Sequence, residues 1–217
     1  MNVLIEAAVD TFQAAERAQA EGAKRIELCG PLHNGGTTPS AGLIARCCEK
    51  LLVSVHVLIR PRVGDFVYTD DDLAIMQKDV AVARELGADG VVIGALTRDG
   101  EVDVSHLAEM IAVASPMRVG FHRAFDQIKD PDEAVEILVS MQVDHVLTSG
   151  GAKTALASVE KLAGLAERAG DRMSIIAGGG VRADHVRELV ERTKVTEVHA
   201  RGTEAGTIAA IVKALAR

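Results

Sequence analysis

Carboxylates interrupt apolar runs in this chain: Glu6 lies in LIEAAV, and Glu27 lies in RIELC, two residues before Cys29. A carboxylate buried in such a run needs a cation or a metal beside it, because burying the charge alone is costly. Groups that could answer that need recur downstream, as Arg60 and Arg62 followed by Asp65, His122 and Arg123 followed by Asp126, and His199 followed by Arg201. Histidine titrates near neutrality, so His122 and His199 are candidates to move protons. The planar guanidinium of arginine grips carboxylate or phosphate with paired hydrogen bonds. Two glycine-rich stretches, Thr148-Ser149-Gly150-Gly151 and Gly178-Gly179-Gly180, could offer backbone N–H groups to the same anions. The plainer alternatives are structural ion pairs for the charges and tight strand-to-helix turns for the glycines.

Metal chemistry is a further candidate. Glu6, Glu27 and His199 together could ligate a hard or borderline divalent ion, although no short-range ligand spacing supports it. Cysteine is the natural ligand of soft Cu(I), and Cys29 is the one thiol well placed for chemistry. Cys47 and Cys48 are adjacent on a helical stretch, so their side chains diverge by about 100° and chelate poorly. His56, in the middle of an apolar run, reads as a hydrogen-bonded core histidine, and His33 as a rim residue.

Short β-branched runs alternate with longer amphipathic stretches, and these must position the groups above. Strands are expected at residues 3–8, 25–29, 53–59, 90–93, 118–121, 145–147, 174–177 and 197–199. Each strand-plus-helix step averages about 28 residues, which suits a βαβ unit. Leu73, Met76, Val80 and Ala83 follow helical spacing, as do Leu107, Met110, Ile111 and Ala114. Asp130-Pro131 and the acidic run Asp70 to Asp72 mark helix starts, and Gly22, Gly87 and Gly170 mark helix ends. Alternation implies a parallel sheet. Eight repeats favour a single α/β domain over 1–217, a (β/α)8 TIM-type barrel, over an open doubly wound sheet. In that fold the chemistry lies at the C-terminal ends of the strands, where nearly all of these polar residues fall.

Composition narrows the partners. A net charge of −7 disfavours nucleic acid and anionic lipid, which need clustered Lys and Arg. No apolar run reaches the roughly 20 residues of a membrane span, and the first residues carry no basic leader, so a cytoplasmic protein is expected. An odd cysteine count of 3 suits a reducing compartment. Aromatics make up only 2%, so the core must be aliphatic.

The strings RIELCGPLHNGGTTPS, IRPRVGDFVY, DGVVIGALTRDGEVD, FHRAFD, LTSGG, AGGGVR and EVHA, in this order, resemble the CutC family, named for copper homeostasis. The resemblance runs from Glu6 to His199 and implies a TIM-type barrel, a cytoplasmic homo-oligomer and a link to Cu(I) binding through cysteines. Of such positions only Cys29 matches. The family's Glu-Ile-Cys-Cys stretch reads Glu6-Ala7-Ala8-Val9 here, and the segment after the eighth strand is short. Two functions therefore stand side by side. One is Cu(I) binding or handling with Cys29 as ligand. The other is a lyase, isomerase or aldolase-like enzyme for a small phosphorylated or carboxylated metabolite. In the enzyme, Arg60, Arg62 and the Gly178–Gly180 loop hold the anion, His122 or Glu27 moves a proton, and Arg123 stabilises negative charge. The remaining family-like polar positions, Glu6, Asp65, Asp126, Ser149, Gly150, His199 and Arg201, complete the expected site.

Overall fold

The structure, a computed structural model, describes residues 3–216; Met1, Asn2 and Arg217, inside the expected 1–217 domain, lie outside it. Eight parallel strands close into a barrel in chain order: β1 (Leu4–Val9), β2 (Arg25–Leu28), β3 (Ser54–Leu58), β4 (Gly90–Ile93), β5 (Arg118–Phe121), β6 (His145–Thr148), β7 (Ser174–Ala177) and β8 (Glu197–Arg201). The circle closes through β1 and β8, where Glu6 pairs with His199 and Ala8 with Arg201. The helices are α1 (Phe12–Ala20), α2 (Ala41–Lys50), α3 (Asp70–Glu85), α4 (Val104–Ala114), α5 (Pro131–Ser140), α6 (Val159–Ala169), α7 (Val186–Thr193) and α8 (Thr207–Ala216). The expected (β/α)8 architecture is therefore present, with β4, β5 and β7 at the expected bounds and the other strand ends shifted by one or two residues. The largest shift is in β8, which continues past His199 to Arg201 because that residue still pairs with β1.

The capping residues do what their chemistry allows. Thr69 and Asp72 form a reciprocal capping box at the start of α3, and Asp130 accepts from the Asp132 and Glu133 amides ahead of α5. At α8 the cap comes from elsewhere: the Glu21 carboxylate accepts from the Gly206, Ile208 and Ala209 amides at 2.7 to 3.2 Å. An acidic group at a helix N-terminus satisfies both its free amides and its dipole.

Alternate residues of each strand face outward or inward. The outward set, including Ile5, Ala7, Ile26, Val55, Val57, Val91, Phe121 and Val198, packs with the helices in one continuous aliphatic core. The inward set departs from the branched aliphatic layers usual in such barrels. It includes Glu6, Arg25, Glu27, His56, His145 and His199, all at least largely buried. His56 of β3 and His145 of β6 bring their ring centroids to 5.2 Å although their strands are not neighbours, so both rings cross the interior. The expectation that His56 is hydrogen-bonded fails: neither ring nitrogen has a partner among the described residues. The sequence gives no sign of this, because the residue facing it across the barrel belongs to a strand nearly ninety positions away.

Candidate functional site

A cavity of about 710 Å³ opens at the C-terminal end of the barrel. Glu27, Cys29, Arg60, His122, Arg123, Gly179, Gly180, His199 and Arg201 all line it. These residues come from β2, β8 and the segments after β2, β3, β5 and β7, so the closed topology gathers groups spread over most of the chain.

On the cavity floor runs a chain of carboxylate and imidazole. The Nδ1 of His199 lies 2.7 Å from Glu6 Oε1, and its Nε2 lies 3.8 Å from Glu27 Oε2. Beneath, Arg25 bridges Glu6 to Glu197. Burial alone would raise the pKa of Glu6, but the hydrogen bond from His199 and the charges of Arg25 and His199 outweigh it and hold the carboxyl well below the usual range. Burial raises the pKa of Glu27, and there the opposing charge of His199 does not win. Burial would lower the pKa of His199, but its hydrogen bond to Glu6 and the two carboxylates raise it. Two carboxyl groups joined through one imidazole are thus pushed in opposite directions.

His122 stands on the opposite wall. Its Nδ1 accepts from the Ala124 amide at 3.1 Å, and its Nε2 is buried with no partner. Burial, then the nearby Arg60 charge, pushes its pKa down to about 3. At neutral pH it is an uncharged ring. With Nδ1 accepting, the proton sits on Nε2, which is a free hydrogen-bond donor. Arg60 stacks on Phe66 at 5.0 Å and donates to the carbonyls of Gly35, Gly36 and Gly64, so it ties together the loops after β2 and β3.

The other expected residues have different settings. Arg62 pairs with Asp65 and Asp72 and donates to the Val67 carbonyl, and neither Arg62 nor Asp65 lines the cavity. Asp126 accepts from the Thr148 hydroxyl and from the Ser149 and Gly151 amides, shaping the turn after β6 from behind. Arg123 joins this network through Asp126 and Ser149, yet reaches the cavity. Ser149, Gly150 and Gly178 do not line the cavity.

The side of the cavity that carries glycine amides and arginines lies after β7 and β8. Gly179 and Gly180 have φ of 94° and 71°, a left-handed backbone that favours glycine, and their amides bond to no protein acceptor among the described residues. Arg182 and Arg201 face the same space. Arg182 was missing from the expected site, although it ends the AGGGVR string. Arg25 and His145 were also missing, because they stand at the starts of strands, where chemistry is not looked for. The N-terminus of α8 is already filled by Glu21.

Copper requires a separate test of fit. Cys29 lines the cavity, but its thiol is buried against the Glu27 carboxylate at 3.6 Å, and burial followed by that charge raises its pKa well above normal. Cys47 is packed in the core between helices and barrel, and Cys48 lies partly buried against it, whereas Cys29 belongs to a separate cluster with Ala8, Leu32 and Leu58. The remaining floor groups are nitrogen and oxygen donors. A lone protonated thiol among hard donors fits Cu(I) poorly.

Comparison with known proteins agrees with the fold. The sequence profile of the CutC family matches residues 3–204. The chain is 41% identical over 196 residues to the human copper homeostasis protein cutC homolog, covering 90% of this chain and 72% of that one. It is 40% identical over 204 residues to a family protein CutC of Vibrio campbellii, covering 93% and 83%. A crystal structure of CutC from Streptococcus agalactiae superposes with a TM-score of 0.88 at 32% identity, covering 93% of this chain and all of that one.

Proposed function

The chain belongs to the CutC family, and on that premise we propose that its barrel mouth carries out proton transfer on a small phosphorylated or carboxylated metabolite. The observation that carries this reading is the Glu6–His199–Glu27 chain, in which the surroundings push the pKa of Glu6 down and that of Glu27 up across one shared imidazole. Such separation is how acid–base pairs are built. Glu6 fixes the orientation of His199, and Glu27, on the cavity wall, exchanges the proton. His122, an uncharged ring, lines the opposite wall beside Arg60. Gly179, Gly180, Arg182 and Arg201 hold the anionic end. Isomerase, lyase and aldolase-like reactions share this proton step beside a carbonyl. The natural assay is exchange of carbon-bound hydrogen for deuterium in a panel of phosphorylated and carboxylated carbonyl compounds. Exchange should fall by about 10²- to 10⁴-fold in Glu27→Gln. Equal exchange in that variant would remove the proton-transfer role.

A second reading, Cu(I) handling inside the cell, is favoured by the name of the human relative and by Cys29 on the cavity wall. It requires the Cys29 thiol to leave Glu27 and lose its proton.

A further inference from the structure

Below the mouth, where a barrel is ordinarily filled with branched aliphatic side chains, three ligand-bearing groups converge. One donor atom each from Glu6, His56 and His145 lies within 4.8 Å of the other two. Both rings are buried, at 1% and 2% exposure. Neither nitrogen of His56, nor Nε2 of His145, has a hydrogen-bond partner among the described residues. A neutral imidazole carries one N–H and one lone pair, and leaving such groups unmet in the interior is unfavourable.

The backbone makes room for these rings. His56 pairs in register with Gly90 of β4, and His145 with Gly120 of β5. A Cβ on Gly90 would stand 2.7 Å from His56 Nε2, and one on Gly120 only 2.1 Å from His145 Nε2. Glycine inside a strand weakens it and often marks close approach by another group. Here two such glycines let two unpartnered rings face one another. The same interior holds the Glu6 carboxylate, the one anionic group among the three donors, beside Arg25 and His199. Glu6 uses one lone pair on each oxygen for His199 and Arg25, and each oxygen keeps another.

We propose that Glu6, His56 and His145 form a buried site for one borderline divalent cation of the Zn²⁺ class. Two imidazoles and one carboxylate are a recurrent ligand set for such ions, and they leave a fourth position open. The set contains no sulfur, which separates it from any soft Cu(I) site at Cys29. It shares only Glu6 with the chain at the mouth, and metal binding can be read out without knowing a substrate.

The test uses the full chain, stripped with a chelator and titrated with Co²⁺ under a visible spectrum, then competed with Zn²⁺. One equivalent of Co²⁺ should give the absorption of a four-coordinate nitrogen and oxygen site, without a thiolate charge-transfer band. His56→Gln and His145→Gln should each weaken binding by at least about 10- to 100-fold, the loss that outer-shell substitutions alone produce. No binding, binding indifferent to both substitutions, or a thiolate band would overturn the proposal. Should the variants not fold, X-ray absorption of the cobalt-loaded wild type decides. A shell with two imidazoles supports the site, and a sulfur or all-oxygen shell overturns it.

Discussion

Glu6 and Glu27 sit two strand positions from each other's neighbours, in the same interior, and yet they carry opposite shifts. The difference lies in contacts: Glu6 touches Arg25 and His199 directly, whereas Glu27 stands 3.8 Å from His199 and beside a thiol. Replacing Glu6 by Gln should therefore be more damaging to the fold than replacing Glu27. Breaking a buried charge network by removing one partner costs about 3–5 kcal/mol. Comparative denaturant melts of Glu6→Gln and Glu27→Gln check this, and equal stabilities would contradict the assigned roles. Close approach is equally specific. Gly120→Ala drives a methyl into the His145 ring and should cost about 1–3 kcal/mol, whereas Gly164→Ala meets open space on the exposed face of α6 and should add up to about 1 kcal/mol. The polar residues of the mouth were legible because they break apolar strands. The inward pairing of His56 with His145 was not, because it depends on two distant strands facing one another across a closed barrel.

At the scale of elements, the alternation of periods two and 3.6 was legible throughout, and the apolar positions expected on α3 are its four buried residues. Helix starts written within one segment were legible too, as at Asp130 and the acidic run Asp70 to Asp72, although the Thr69 cap itself was not singled out. The cap on α8 was not, because Glu21 comes from a loop 185 residues away in sequence. That contact closes the barrel chemically where β1 and β8 close it topologically. Glu21→Gln should lower stability by about 1 kcal/mol, with the loss localised as faster amide exchange at Gly206, Ile208 and Ala209. Uniform exchange behaviour across the chain would show that the cap is dispensable.

For the whole molecule, the buried imidazoles make stability depend on pH. The pKa of His122 is pushed down to about 3, that of His56 to about 4 and that of His145 to about 3, chiefly by burial. In the unfolded chain these rings bind protons below about pH 6.5. Between that value and their folded pKa the unfolded state holds more protons, so stability falls as pH drops from 6.5 toward 3. Glu6 adds to the loss at the acid end, since its lowered pKa stabilises the fold only while it is ionised. His199 acts the other way, and its contribution fades as pH rises through its elevated pKa. Metal-free protein should thus unfold progressively more easily below pH 6.5, and a melting temperature flat from pH 7 to 4 would contradict the buried neutral rings. Among the described residues no helix is long and apolar enough to cross a membrane. On the function proposed above, nitrogen and oxygen groups at this mouth receive an anion, and Cys29 holds no copper. Anaerobic titration with Cu(I) against a chromophoric chelator, in wild type and Cys29→Ser, tests it most directly. Weak binding, or binding that Cys29→Ser leaves unchanged, is the result expected here. Tight one-to-one binding abolished by that substitution would contradict the account and make Cys29 the centre of the site.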